Sequence, residues 1–243
     1  MEINARTEVG LVREQNEDSF LICSDRGLLV VADGMGGHLA GEIASQMAVQ
    51  VFNHRIGVID GFMNPRDLLK NSALEANQEI LRHANSHPGC EGMGTTLTAA
   101  LVQHNRFFLV HVGDSRAYLI RPGMIRRITA DHSVVEELLR WGAISEEEAL
   151  HHPYRNILTR ALGTEATVKL DLLEETFHHG DYLLLCTDGL TNLVTDQEIY
   201  DAVEGSLSLQ MTLDKLIELA LSRGGYDNVT VVLTQLEYRG EVC

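Results

Sequence analysis

"VVADGMGGH", residues 30–38, is the stretch from which the rest of the chain can be read. An apolar run long enough for a buried strand ends at Asp33, and the positions just beyond it carry almost no side chain. A carboxylate at a strand end is held on a rigid element, and an adjacent glycine lets backbone or solvent approach it closely. A dinucleotide loop would also place Gly34 and Gly36 after a strand. The third glycine of G-x-G-x-x-G would then fall at Leu39, and no G-x-x-x-x-G-K-[ST] loop occurs anywhere, so nucleotide binding is set aside.

Outward from Asp33 the same setting recurs. Asp114 in "LVHVGDSR" and Asp188 in "LLLCTDGL" follow apolar residues and adjoin glycine, while Asp18 in "REQNED" and Asp227 in "GGYDNVTVV" lie beside strand-like runs. Taken singly, each aspartate fits a cap or a turn. Together they suit a divalent-metal pocket, because convergence without a cation is opposed by like-charge repulsion. Hard oxygen donors without a His or Cys cluster favour Mg²⁺ or Mn²⁺ over zinc. His151 with His152, and His178 with His179, are adjacent, so neither pair can share a helix face as metal ligands do; solvated or capping roles are expected.

Alternation and β-branched enrichment predict strands at about 3–9, 19–23, 28–33, 96–103, 106–112, 116–121, 168–173, 181–186 and 228–236. His104-Asn105 and Pro122-Gly123 read as hairpin turns, which implies antiparallel pairing. Asn64 followed by Pro65 starts a helix that runs to about Ser86, and further helices are expected near 41–53, 195–204 and 210–222, the last stopped by Gly224 and Gly225. Two helices accompany each set of strands, which is α+β layering and not βαβ alternation. Residues 133–163 break the pattern with short acidic helical pieces and the only tryptophan, Trp141, and read as a surface insertion or lid.

At 243 residues and 44% hydrophobic, the chain suits one domain spanning 1–243. Nineteen Lys and Arg against 35 Asp and Glu leave a formal charge of −16, which disfavours binding to nucleic acid or anionic lipid and leaves carboxylates available for cations. Four scattered cysteines form no C-x-x-C pair, so reduced thiols are expected. No run of about 18 apolar residues exists, and the first ten residues lack a signal-peptide centre; a soluble, cytoplasmic protein is the expectation. The absence of heptads makes a monomer the default.

The ordered set "REQNEDSF", "VVADGMGG", "MGTTLTAALV", "HVGDSRAYL", "TADHS", "LLLCTDGLTN" and "GGYDNVTVV" resembles the metal-dependent protein phosphatases of the protein phosphatase 2C family, in their compact bacterial form, from about residue 3 to 236. The resemblance implies an α-β-β-α sandwich of two antiparallel sheets flanked by helices, with residues 133–163 as a small flap. It implies hydrolysis of phosphoserine and phosphothreonine monoesters in proteins by a metal-activated water, opposing a serine/threonine kinase. In that pattern Asp33 bridges two Mn²⁺ or Mg²⁺ ions, the Gly34 carbonyl ligates one, and Asp188 and Asp227 complete the other. Asp18 and Glu17 act through coordinated waters, Asp114 shares a third, weaker ion with Asp188, and Arg13 clamps the phosphate. Met35 stands where many eukaryotic members carry a histidine, so the general acid is unassigned, with His38 as a candidate. Two alternatives remain: a non-catalytic phosphoprotein-binding module on the same fold, and a metal-dependent phosphodiesterase.

Overall fold

The computed structural model describes residues 1–36, 40–57, 64–150 and 152–237. In chain order the elements are β1 (Ile3–Glu8), β2 (Asp18–Cys23), β3 (Leu28–Met35), α1 (Ala40–Gly57), α2 (Pro65–Ser86), β4 (Gly94–Thr95), β5 (Leu97–Gln103), β6 (Arg106–Val112), β7 (Arg116–Arg121), β8 (Met124–Arg127), α3 (Val134–Arg140), α4 (Glu146–Leu150), β9 (Asp171–Thr176), β10 (Tyr182–Cys186), α5 (Asp188–Thr191), α6 (Asp196–Glu204), α7 (Leu209–Ser222) and β11 (Val229–Gln235).

One sheet runs β2-β3-β5-β6-β9, with β4 paired to β3; the other runs β1-β11-β10-β7-β8, and every pairing is antiparallel. The layering follows from strands that are apolar at nearly every position, since alternate side chains go to opposite faces. Leu28, Val30 and Ala32 of β3 pack with Ala44, Ala48, Leu69 and Ile80 of α1 and α2. Leu29 and Val31 point the other way, into a layer between the sheets shared with Leu109, Leu119, Leu185 and Val232. Leu184, Cys186, Val231 and Leu233 turn outward onto Ile199 of α6 and Leu213, Leu216 and Ile217 of α7. Three apolar layers therefore hold four structural layers together, as the α-β-β-α expectation requires.

The local signals largely operate as anticipated. The Asn64 side chain accepts from the Arg66 N–H ahead of Pro65, Thr195 and Glu198 form a capping box on α6, and Ser208 caps α7. His104 takes a positive φ of 54° in the β5–β6 turn. Three elements escape the sequence reading, namely β4, β8 and the single turn α5, and the strand expected at 168–173 lies at Asp171–Thr176. The 133–163 segment carries α3 and α4 and is tied at its base to the body: Ser133 bridges Leu158, the Val134 N–H donates to the Ile157 carbonyl, and the Thr159 N–H donates to the His132 carbonyl.

Candidate metal centre

Five aspartates from distant points of the chain meet at one edge of the sandwich. The β2–β3 register sets Asp18 directly opposite Asp33. In the other sheet, β10 runs into Asp188 at the first turn of α5, while Asp227 stands two residues before neighbouring β11. Asp114 occupies the turn that passes from β6 in one sheet to β7 in the other.

Two glycines allow the convergence. A Cβ at Gly34 would lie 2.0 Å from the Gly41 carbonyl oxygen and 2.7 Å from that of Glu17, and the Gly34 N–H donates to the Glu17 carbonyl at 3.1 Å. A Cβ at Gly189 would lie 2.0 Å from the Asn228 carbonyl oxygen. In both Asp-Gly pairs, therefore, the missing side chain is what lets the backbone carrying a second aspartate close in: Glu17 precedes Asp18, and Asn228 follows Asp227. Gly34 also lets the first turn of α1 seat against β3.

The electrostatics are those of a crowded acidic site. Burial raises Asp33 well above the usual carboxylate range, and the charges of Asp18, Asp188, Asp114 and Asp227 raise it further. Asp18 is pushed up to about 7, chiefly by burial and then by Asp188 and Asp227, against the stabilising hydroxyls of Thr230 and Thr187. Asp114 is pushed up to about 8 by burial, Asp188 and Asp131, and Asp188 is raised by burial and Asp227. Asp188 lies close enough to Asp33 for its charge to raise Asp33. Carboxyl groups crowded in this way are relieved by a proton or a cation among them. Because Asp33, Asp114 and Asp188 keep part of their surface open, the penalty is that of a packed, accessible pit and not a sealed core. Oxygen-only donors, mutual repulsion and access fit a hard divalent cation. Among the described residues, however, no three His, Cys, Asp or Glu side chains are already gathered as a finished cage.

The supporting groups are mostly hydroxyls and amides that the sequence does not single out. Thr187 and Thr230 both donate to one oxygen of Asp18, at 2.8 and 2.7 Å. With its proton committed there, the Thr230 oxygen accepts from Thr7 at 2.7 Å, and Thr7 in turn accepts from Asn16. Asn228 donates to the Val9 and Gln15 carbonyls and accepts from the Glu17 N–H, clasping the loop of Arg13 and Asp18 to β11. Asp33 is fixed by its backbone, its N–H donating to Thr96 Oγ1 and its carbonyl accepting from the Thr95 hydroxyl, both at 2.9 Å.

Arg13, expected to face phosphate, is half-exposed at the rim and pairs with Asp227 at 2.8 Å. The other Asp227 oxygen accepts from the Asn228 N–H at 2.9 Å. Glu17 is placed by its backbone beside Gly34 and by its carboxylate beside Gly41. Cys186 is fully buried in β10, and burial pushes its thiol up to about 12. Cys23 and Cys90 are likewise unpaired. His38, the candidate acid, and His151 lie outside the described residues. His152 meets Tyr154 edge-on, and the His178 N–H donates to Asp181, so neither contributes to the acidic edge.

Residues 12–220 match the family model described as protein phosphatase 2C. The chain is 41% identical over 241 residues to the serine/threonine phosphatase stp of Listeria monocytogenes, covering 97% of this chain and 96% of that one. It superposes on the serine/threonine phosphatase Stp1 of Staphylococcus aureus with a TM-score of 0.93 at 38% identity, covering 97% and 95% of the two chains. With the catalytic domain of the serine/threonine protein phosphatase PstP, solved in complex with two manganese ions, the TM-score is 0.89 at 41% identity, covering 97% and 98%.

Proposed function

This chain belongs to the protein phosphatase 2C family and is a serine/threonine protein phosphatase, and from that premise we propose how its acidic edge works. The observation that carries the reading is the convergence of five aspartates on one edge, where burial and the charges of Asp18, Asp188, Asp114 and Asp227 all raise Asp33, an arrangement that a divalent cation relieves. Asp33, the Gly34 carbonyl, Asp188 and Asp227 would hold two ions, with Asp18 and Glu17 acting through waters and Asp114 sharing a third, weaker ion with Asp188. The two manganese ions of PstP support Mn²⁺ in this role, and Mg²⁺ suits the same oxygen donors. Bound there, divalent ions supply Lewis-acid stabilisation of the phosphoryl oxygens and a water acidified to near neutrality for in-line attack.

The chain's own residues supply position. The hydroxyl relay from Asn16 through Thr7 and Thr230 delivers donors to Asp18, favouring its ionised form and fixing its orientation. Arg13 holds the carboxylate of Asp227 until a phosphate arrives. A phosphate monoester offers the guanidinium the same paired-oxygen geometry with more charge, so Arg13 transfers to substrate and leaves Asp227 to the metal side. Met35 offers no proton, so the leaving serine or threonine oxygen takes its proton from His38 or from solvent. Cys186 is buried and holds its proton tightly, which removes it as a nucleophile.

The substrates are phosphoproteins, and the physiological role we assign is to oppose a serine/threonine kinase in the cytoplasm, as a monomer. We take residues 1–243 as one catalytic unit with 133–163 as its flap. No described helix is long and apolar enough to cross a membrane. The test is hydrolysis of a phosphothreonine peptide and of p-nitrophenyl phosphate with Mn²⁺, Mg²⁺ or EDTA, comparing wild type with Asp33→Ala. Activity that needs metal and is lost in the variant supports the assignment. Activity indifferent to either moves the chemistry elsewhere, and a bis-aryl phosphodiester cleaved faster than the monoester would favour a phosphodiesterase.

A further inference from the structure

His132 is buried, has no part in the mechanism above, and is held in one tautomer by its neighbours. The Gly113 N–H donates to Nδ1 at 3.1 Å, so that nitrogen carries no proton. Nε2 then carries it and donates to one oxygen of Asp171 at 3.2 Å. Arg160 donates to the other Asp171 oxygen at 3.0 Å; the same guanidinium nitrogen lies 3.0 Å from Nε2, a contact that is no bond while Nε2 carries its proton, so Asp171 and Gly113 together set the tautomer against Arg160. The backbone repeats the connection, with the His132 N–H donating to the Gly113 carbonyl and the Thr159 N–H to the His132 carbonyl, both at 2.7 Å. Burial lowers the His132 pKa, and its neighbour His111, 4.8 Å away ring to ring, is lowered to about 3, so both rings are neutral.

Followed inward, the same chain of bonds reaches the acidic edge. Gly113 precedes Asp114, and Ser115 follows it; the Ser115 hydroxyl meets Thr96 Oγ1 at 2.7 Å, and Thr96 Oγ1 accepts the Asp33 N–H. Followed outward, it reaches Thr159 and Arg160, where the 133–163 segment rejoins the body. Hydrogen bonds on either side of the consecutive residues Gly113, Asp114 and Ser115 thus link the base of that segment to two of the five aspartates.

We propose that Arg160, Asp171 and His132 form a positioning relay that holds the Asp114 loop in register with the base of the 133–163 segment. Its consequence for the reaction rests on the reading of Asp114 as a metal-site residue. Asp171 is the element that sets the relay's polarity: with two acceptor oxygens it serves Arg160 and the His132 Nε2–H together. An asparagine cannot do both. Its oxygen must face Arg160, a pure donor, so its NH₂ faces Nε2; the imidazole proton moves to Nδ1 and confronts the Gly113 N–H. Removing Arg160 as well frees the amide to turn its oxygen back to Nε2.

The experiment compares wild type, Asp171→Asn and Arg160→Met/Asp171→Asn by nitrogen-15 NMR of the histidine rings and backbone amides, with Mn²⁺ titrations of activity. Wild type is expected to show His132 as the Nε2–H tautomer; finding Nδ1–H there overturns the inference without any variant. Asp171→Asn is expected to switch the tautomer, move the Gly113 and Asp114 amide signals, and raise half-saturating Mn²⁺ about 10-fold, the usual scale for a group that orients a metal site from behind. The double variant is expected to restore both tautomer and Mn²⁺ response to within about 3-fold of wild type, a recovery that a loss of packing would not give. A switched tautomer with unmoved amides, or no recovery in the double variant, overturns the relay. Moved amides in Asp171→Asn beside an unchanged Mn²⁺ response in Asp114→Asn would keep the relay and sink the metal role of Asp114.

Discussion

Replacing Asp18 with asparagine should make the metal-free protein more stable while making it a worse metalloprotein. Asp18 is 8% exposed, and one of its oxygens receives two threonine hydroxyls that an asparagine oxygen can receive equally well. What the substitution removes is charge. An aspartate with a pKa of about 7 in the fold and about 3.9 in the unfolded chain takes up protons more readily when folded. Keeping it ionised therefore costs stability. The cost is small below pH ~4, is on the order of 1 to 2 kcal/mol at pH 5, and levels off at a few kcal/mol above pH ~7. In EDTA, urea unfolding should give Asp18→Asn a small advantage at pH 5 and one of a few kcal/mol at pH 8. Saturating Mn²⁺ should shrink that advantage, because an ion at 100 times its dissociation constant adds about 2.7 kcal/mol per site to wild type and less to the variant. An Asp18→Asn protein that is no more stable than wild type at pH 8 in EDTA would refute the reasoning, since the carboxylate would then be stabilising the fold it was taken to strain.

The remaining expectations are more local. Gly189→Ala places a methyl where the Asn228 carbonyl already lies, which should lower stability by about 1–3 kcal/mol in urea unfolding and weaken Mn²⁺ binding in calorimetry; unimpaired binding would mean that the close approach does not set the site. Arg13→Ala should raise KM for a phosphothreonine peptide about 10-fold or more, the loss of a charge-assisted pair, while leaving Mn²⁺ binding equal or tighter because Asp227 is released; weaker Mn²⁺ binding would contradict the exchange of partners. Iodoacetamide under native conditions should leave Cys186 unmodified and activity unchanged, and mass spectrometry that finds Cys186 alkylated in active enzyme would overturn its burial.

The layering was legible because runs such as 28–32 and 182–186 are apolar at consecutive positions and the helices carry caps, signals that act within a few residues. The misplaced strand shows where such signals stop. Val168, Leu170 and Leu172 keep an alternating pattern, but pairing starts only where Asp171 meets His111, a register set by a strand 60 residues earlier. β8 is four residues, two of them arginine, and exists because Tyr118, Leu119, Ile120 and Arg121 lie beside it. The aspartates were legible because an acidic residue after an apolar run is conspicuous. Their supports were not: Thr187, Thr230, Thr96 and Ser115 read as ordinary strand or turn residues, and only the fold brings Thr230 to Asp18, 212 positions away. Arg13 was read toward substrate, and its pairing with Asp227 depends on a loop clasped from across the chain by Asn228.

The division of the aspartates between the sheets bears on how the enzyme is born. Asp18 and Asp33 lie on strands of one sheet, Asp188 and Asp227 flank strands of the other, and Asp114 sits in the turn that passes between them. The sheet that carries Asp18 and Asp33 closes only with β9, so a nascent chain with that sheet formed already holds Asp114 as a third carboxylate, and the last of the five arrives with the segment leading into β11. The acidic edge is thus completed only late in synthesis, when the residues just before β11 join those carried by the earlier strands.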